Sequence, residues 1–266
     1  MRKTIVAIGG GENGRTKHDG SYSYPYETEP IDRRIVELSK KDNPNFLFIG
    51  HATASKQESY FLVMQDIYGK RFKCSCCLLH SEDLKNRQKI KELIAWADII
   101  YVGGGNTREM LRLWQDTDFD RTMIDAYHNG KVMCGISAGA NFWFKAFCSN
   151  VQRIEQNNPD ASYIKVQGLG VINAVFTPHC DEPGRLDYMK ALAKEENAVA
   201  ISLSNCTALE MIDDKYRLIT SDASLYGIKA YAYKSYWIND KYYQKEIEES
   251  IKYADLDELL SISYDE

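Results

Sequence analysis

The chain has 266 residues, 44% of them hydrophobic and 27% charged, and a formal net charge of −5. That composition predicts a globular chain with a sizeable core, and no apolar run approaches the roughly 18 residues a membrane helix needs. An acidic balance without any long Lys/Arg block argues against nucleic acid and membrane partners and favours a small molecule or small peptide.

The first apolar run, "TIVAIGG", is short and ends in glycine, so it predicts a buried first strand rather than a signal peptide. "NFLFIG", "KCSCCLL", "DIIYVGGG", "KVMCGIS" and "GVINAVFTPH" follow as further strands, nearly continuous in apolar residues as buried parallel strands are. Between them the 3.6-residue period predicts helices at 31–40, 56–69, 82–96, 107–115, 120–129, 138–147 and 185–195. The alternation predicts an α/β fold, a three-layer, doubly wound and mostly parallel sheet of the flavodoxin-like type, with ligands at the C-terminal strand edge. After Asn197 the pattern turns β-rich, with turns at Asp213 and Asp214 and near Asn239 and Asp240, ending in a solvated helix and tail. Without a Pro/Gly/Ser linker, one domain over 1–266 is expected, with a core of about 4–222 and a C-terminal β-rich extension of about 223–266.

Cysteine usage is informative mainly by its irregularity. Seven cysteines, an odd number at no framework spacing, predict a reducing, cytoplasmic setting. The cluster of Cys74, Cys76 and Cys77 has no second Cys/His pair at ligand spacing, so a buried strand is expected there and no metal or other cofactor. Nothing in the sequence bars a homo-oligomer.

Two strands end in glycine triplets. The triplet at Gly9 leads into a long polar stretch rather than a helix, so it is weak evidence for a dinucleotide. The second, "YVGGGNTREMLRLW", runs strand, glycines, Asn106, then an amphipathic helix. Either its glycines merely allow a tight turn, or their N–H groups serve an oxyanion or a substrate carboxylate, with Asn106 as a substrate contact.

The stretch "KVMCGISAGANFWF" holds a G-x-S-x-G pentad between a predicted strand and a predicted helix. A nucleophile elbow needs that context, with Ser137 on the turn and the Ala138 N–H next to a developing oxyanion. Its base is found by elimination among five histidines: His18, His80 and His128 fall in polar or helix-end settings, and His51 follows a strand early in the chain. His179 follows a strong apolar strand on the same predicted sheet edge as Ser137, with Pro178 fixing the approach, and is the expected base. An acid to orient it is harder to choose: Asp181, Glu182, Glu210, Glu155 and Asp160 all qualify, with Asp181 first.

The order "YVGGGNT", then "GISAGAN", then a strand ending in "PH" resembles the serine peptidases of the dipeptidase E group (peptidase family S51), which includes cyanophycinase. The likeness spans about residues 4–212. It implies a fold like the class I glutamine amidotransferase domain with serine in place of the nucleophilic cysteine, and cleavage of small peptides after an aspartyl residue. It also implies Ser137 as nucleophile, His179 as base, and Gly104 or Gly105 with Ala138 as the oxyanion hole. One departure stands out: where the family carries an aspartate after the elbow helix, this chain reads "FCSNVQ", with Asn150. In the amidotransferases the acid lies two positions after the histidine, where Asp181 stands. Arg185 is a candidate cation for an acidic substrate side chain. Two other readings remain: a catalytically weakened or inactive binding module, motivated by Asn150, and an α/β-type esterase, disfavoured by the short interval between Ser137 and His179 and by the lack of an HGGG-type motif.

Overall fold

A computed structural model describes residues 1–17, 24–222, 227 and 229–262; His18 lies outside them. The strands are β1 (Thr4–Ile8), β2 (Asn45–Ile49), β3 (Ser75–Leu79), β4 (Ile99–Val102), β5 (Val132–Ile136), β6 (Phe144–Ser149), β7 (Ile164–Gln167), β8 (Ile172–Thr177), β9 (Ala200–Leu203), β10 (Thr207–Ile212), β11 (Lys215–Thr220), β12 (Ala232–Ile238), β13 (Lys241–Glu246) and β14 (Ala254–Asp255). The helices are α1 (Glu29–Leu38), α2 (Gln57–Met64), α3 (Arg87–Trp96), α4 (Thr107–Asp116), α5 (Phe119–His128), α6 (Ala138–Asn141), α7 (Val151–Glu155), α8 (Arg185–Glu196) and α9 (Leu256–Leu260).

Strands expected to form one sheet fall into two. The first, in order β14-β11-β10-β1-β5-β4-β2-β3, is parallel from β1 to β3 and antiparallel where β10, β11 and β14 extend it. The second, in order β13-β12-β9-β8-β6-β7, has a parallel centre of β9, β8 and β6 between antiparallel neighbours. Ser137 therefore follows a strand of the first sheet and His179 a strand of the second, not one shared edge. The C-terminal strands do not stand apart either: β12 and β13 complete the second sheet, and β14 pairs with β11 of the first.

Side-chain alternation explains the layering, because successive residues of a strand face opposite sides. Ile5 and Ala7 of β1 join one buried cluster, which also takes Phe144, Phe176 and Ile201 of the second sheet. Val6 and Ile8 face the other way, onto Ile31 and Ile35 of α1 and Met64 of α2. On its far face the second sheet packs Ala146, Val175 and Ala200 against Met189, Leu192 and Ala193 of α8.

The helix expected over 138–147 stops at Asn141, and β6 begins at Phe144. The aromatic, sheet-forming run "FWFKAFCS" is drawn into the second sheet, where the Phe144 ring stacks on Phe176 with centroids 4.1 Å apart. Burial of such a ring is worth about 3–5 kcal/mol against alanine, far beyond any local helix preference. Likewise, among the described residues of the expected terminal helix and tail, only Leu256–Leu260 is helical.

Candidate active site

Ser137 sits between β5 and α6 with φ 55° and ψ −110°, a strained conformation for a non-glycine residue. Both glycines of the pentad are needed by close backbone approach. A Cβ on Gly135 would lie 2.2 Å from Gly139 O, and one on Gly139 would lie 2.0 Å from Val102 O of β4. The turn is held from below by the Ser137 N–H, which donates to Ile8 O at 3.0 Å, and from above by Ala140 and Asn141 N–H groups, which donate to Ser137 O.

His179 comes from the other sheet, yet reaches the same strand end. Its N–H donates to Gly9 O at 3.0 Å, and its φ is 49°. Nε2 lies 2.9 Å from Ser137 Oγ and Nδ1 lies 2.8 Å from Asn205 Oδ1. Asn205, in the β9–β10 connection, donates through Nδ2 to Asp181 Oδ2 at 2.8 Å and through its backbone N–H to Asp181 Oδ1 at 2.9 Å. The carboxylate accepts only, so the amide is fixed with Oδ1 toward the imidazole. Nδ1 must then carry the proton, and Nε2 is left to accept from the serine hydroxyl. Burial pushes the His179 pKa below its ordinary value, against the Asn205 hydrogen bond, which raises it.

Asp181, ranked first as the orienting acid, is thus one side chain removed from the ring. Asn205 is the residue that sequence reasoning missed, because "SLSNCT" carries no motif. A Cβ on Gly10 would lie 2.0 Å from Asn205 Oδ1 and 2.4 Å from His179 Nδ1.

The other expected acids lie elsewhere. Glu210 is fully buried and bonded by Arg34 and Arg217, with Arg34 Nε at 2.9 Å and Arg217 Nη2 at 3.0 Å. Asp160 lies in an exposed turn between α7 and β7. Glu155 accepts from Asn106 Nδ2 at 3.1 Å and pairs with Arg108. Glu182 pairs with Arg185, and Asn150 stands just before α7, its side chain making no hydrogen bond to the helix end.

Gly104 and Gly105 part company. A Cβ on Gly104 would lie 3.4 Å from Ser137 Cβ, so this residue faces the serine, and its N–H makes only a long 3.5 Å hydrogen bond, to Tyr60 Oη. Gly105 turns back on Ala52, whose carbonyl oxygen would be 2.2 Å from a Cβ there, with φ +139°. Asn106 caps α4 by accepting from Glu109 N–H at 3.1 Å and is buried, so both ends of its amide are engaged. Arg185, expected to meet a substrate carboxylate, is 1% exposed, ion-paired to Glu182 at 2.9 Å and bonded to Thr177 Oγ1 at 3.2 Å. His51 is also structural: Nε2–H donates to Leu79 O at 3.0 Å and Nδ1 accepts from Trp114 Nε1–H at 2.9 Å.

A cavity of about 510 Å³ reaches Ile136, the residue before Ser137, and is lined as well by Tyr60, Glu12, Asn13, Arg15 and Lys56 among others. No cluster of His, Cys, Asp or Glu suited to a metal occurs among the described residues. Among them, too, no helix is long and apolar enough to cross a membrane.

A serine on a strained strand-to-helix turn, hydrogen-bonded to a histidine, defines the serine-hydrolase class of site. The chain belongs to peptidase family S51, whose family model matches residues 19–219, and it is on that footing a member of a serine peptidase family. It is 28% identical over 234 residues to the uncharacterized peptidase YgaJ of Bacillus subtilis (strain 168), covering 86% of this chain and 91% of the relative. In fold it is similar to the crystal structure of a peptidase from an acI-B1 Actinobacterium, at 16% identity, with a TM-score of 0.64 over 96% of this chain and 97% of that one. It is also similar to a putative peptidase E protein from Listeria monocytogenes EGD-e, at 17% identity, with a TM-score of 0.53 over 83% of this chain and 99% of the other.

Proposed function

We propose that the protein hydrolyses small peptides, Asp-X dipeptides first among them, by a Ser-His nucleophilic mechanism. The observation that carries this reading is the 2.9 Å contact between Ser137 Oγ and Nε2 of His179. In the proposed cycle Ser137 attacks the scissile carbonyl as His179 takes the hydroxyl proton. The N–H groups of Gly104 and Ala138 receive the developing oxyanion, and His179 returns the proton to the leaving amine. Water then attacks the acyl-enzyme by the same route. One oxyanion donor is typically worth about 100-fold or more in rate.

The acidic preference is supported by Arg15 and Lys56 at the cavity that reaches Ile136, next to Ser137 in the chain; they take the place first given to Arg185. Arg15 and Glu12 pair with one another there at 3.3 Å, so substrate would bind by exchanging that pair, its side-chain carboxylate meeting Arg15 and its α-ammonium group meeting Glu12. A cytoplasmic location belongs to the same proposal, since all seven cysteines stand as free thiols.

A weakened or inactive binding module is the competing reading, favoured by the neutral amide of Asn205 where a carboxylate would better support an imidazolium. A panel of Asp-Leu, Asn-Leu, Lys-Leu and Leu-Leu separates the two. The peptidase reading expects Asp-Leu to be cleaved with the highest kcat/KM and the Ser137→Ala protein to be inert. Binding of Asp-Leu without turnover would favour the module.

A further inference from the structure

Resting on the Ser-His reading, we propose that Asp181 is a positioning residue that acts on His179 only through Asn205, holding the amide so that its oxygen, and never its NH2 group, meets Nδ1. Three bonds carry this. Asp181 Oδ1 accepts from the Asn205 backbone N–H at 2.9 Å and Asp181 Oδ2 from its side-chain Nδ2 at 2.8 Å, which leaves Asn205 Oδ1 a single orientation, 2.8 Å from the ring. Without the carboxylate, the two faces of the amide become nearly equivalent, and a flipped amide would present a donor to Nδ1 and force the proton onto Nε2. That tautomer cannot accept the serine proton.

The arrangement splits into two side chains what a single triad carboxylate does alone. Asn205 supplies contact and direction, and Asp181 supplies the negative charge at one remove. Gly10 makes the split feasible by letting Asn205 and His179 lie directly on its Cα, where any Cβ would collide with both. The other charges near His179 are Glu182, which favours the imidazolium, and Arg185, which opposes it; those two also neutralise one another in an ion pair at 2.9 Å.

Two readouts test this, the first independent of any activity. In protein labelled with 15N-histidine, with His179 assigned by His179→Gln, the neutral ring is expected to be protonated at Nδ1. In Asp181→Asn a mixture of tautomers should appear, while the Asn205 backbone N–H still finds an acceptor and the loop stays folded. With Asp-Leu as substrate, Asp181→Asn should lower kcat by about 10- to 100-fold at nearly unchanged KM, a small part from the mixed tautomers and the larger part from loss of the negative charge that supports the imidazolium. Its acid limb should move to lower pH, because a negative charge has been removed.

The exchange Asn205→Asp/Asp181→Asn places the charge directly on Nδ1 and gives it an amide donor behind. It should restore the Nδ1–H tautomer and most of kcat, with the acid limb moved above that of the native protein. A native tautomer in Asp181→Asn, or failure of the exchange to restore it, overturns the positioning role whether or not dipeptides are cleaved. A native protein with the expected tautomers but no turnover would instead overturn the peptidase reading and leave the positioning role supported.

Discussion

Ser137 and His179 hang from consecutive carbonyls of one strand end: the Ser137 N–H bonds to Ile8 O and the His179 N–H to Gly9 O, each at 3.0 Å. The two side chains come from different sheets, yet their spacing is set by a single peptide step of β1. The third member is tied to the next residue, since Cys206 N–H, just after Asn205, donates to Gly10 O at 3.0 Å. β1 contributes no reactive group and still assembles the site.

Gly10→Ala is accordingly expected to cost more activity than stability. With Cβ forced to 2.0 Å from Asn205 Oδ1, the His179–Asn205 pair must shift by about an ångström, a displacement that can cost on the order of 100-fold in kcat. Measuring kcat beside the thermal midpoint checks this; a variant that is unfolded, or fully active, contradicts it.

The pH profile should carry the mark of a buried base. Burial lowers the His179 pKa from 6.5, and the base must be unprotonated to work, so kcat/KM should hold to a lower pH than an ordinary histidine allows. A profile of kcat/KM from pH 4 to 8 reads this directly. An acid limb centred at or above about 6.5 would contradict it.

Substrate choice should depend on the cavity cations. Losing one charge-assisted hydrogen bond is worth about 1.5–3 kcal/mol, so Arg15→Ala/Lys56→Ala should lower kcat/KM for Asp-Leu by about tenfold or more. Activity on Asn-Leu should hardly change. Equal losses on both substrates would remove these cations from a role in side-chain recognition.

Much of the candidate site's geometry is legible in the sequence because it is local. G-x-S-x-G between a strand and a helix, and a histidine just past a strong strand, both follow from short-range pattern, and they lie 2.9 Å apart. Asn205 was not legible, because a hydrogen bond to a ring 26 positions earlier leaves no trace in "SLSNCT". Arg185 and Glu210 misled for the same reason: a charged side chain looks solvated in sequence until its buried partners, Glu182 for one and Arg34 and Arg217 for the other, are placed around it. The first four residues of β6, 144–147, are expected as helix because the four-residue α6 runs into an aromatic segment whose fate is decided by Phe176 on a different strand.

His51 makes a separate prediction about stability. Burial lowers its pKa to about 4, so it contributes stability that is full above 6.5 and is lost as pH falls toward 4. Asp32, buried and accepting from Tyr68 at 2.7 Å and Thr28 at 2.8 Å, has its pKa raised to about 6 and works in the opposite sense, losing its contribution as pH rises from 3.8 toward 6. The native stability curve should therefore be shallow in this range. The difference between native and His51→Leu in urea unfolding should shrink on acidification, by at most about 1.4 kcal/mol per pH unit. A difference that stays constant from pH 7 to 4.5 would contradict it.

The central claim, that Ser137 is a nucleophile activated by His179, is tested most directly by a fluorophosphonate probe followed by peptide mapping. One adduct, on Ser137, is expected in the native protein, with labelling abolished in Ser137→Ala and slowed by orders of magnitude in His179→Ala. An unlabelled Ser137, or labelling that proceeds at the native rate without His179, would contradict the account.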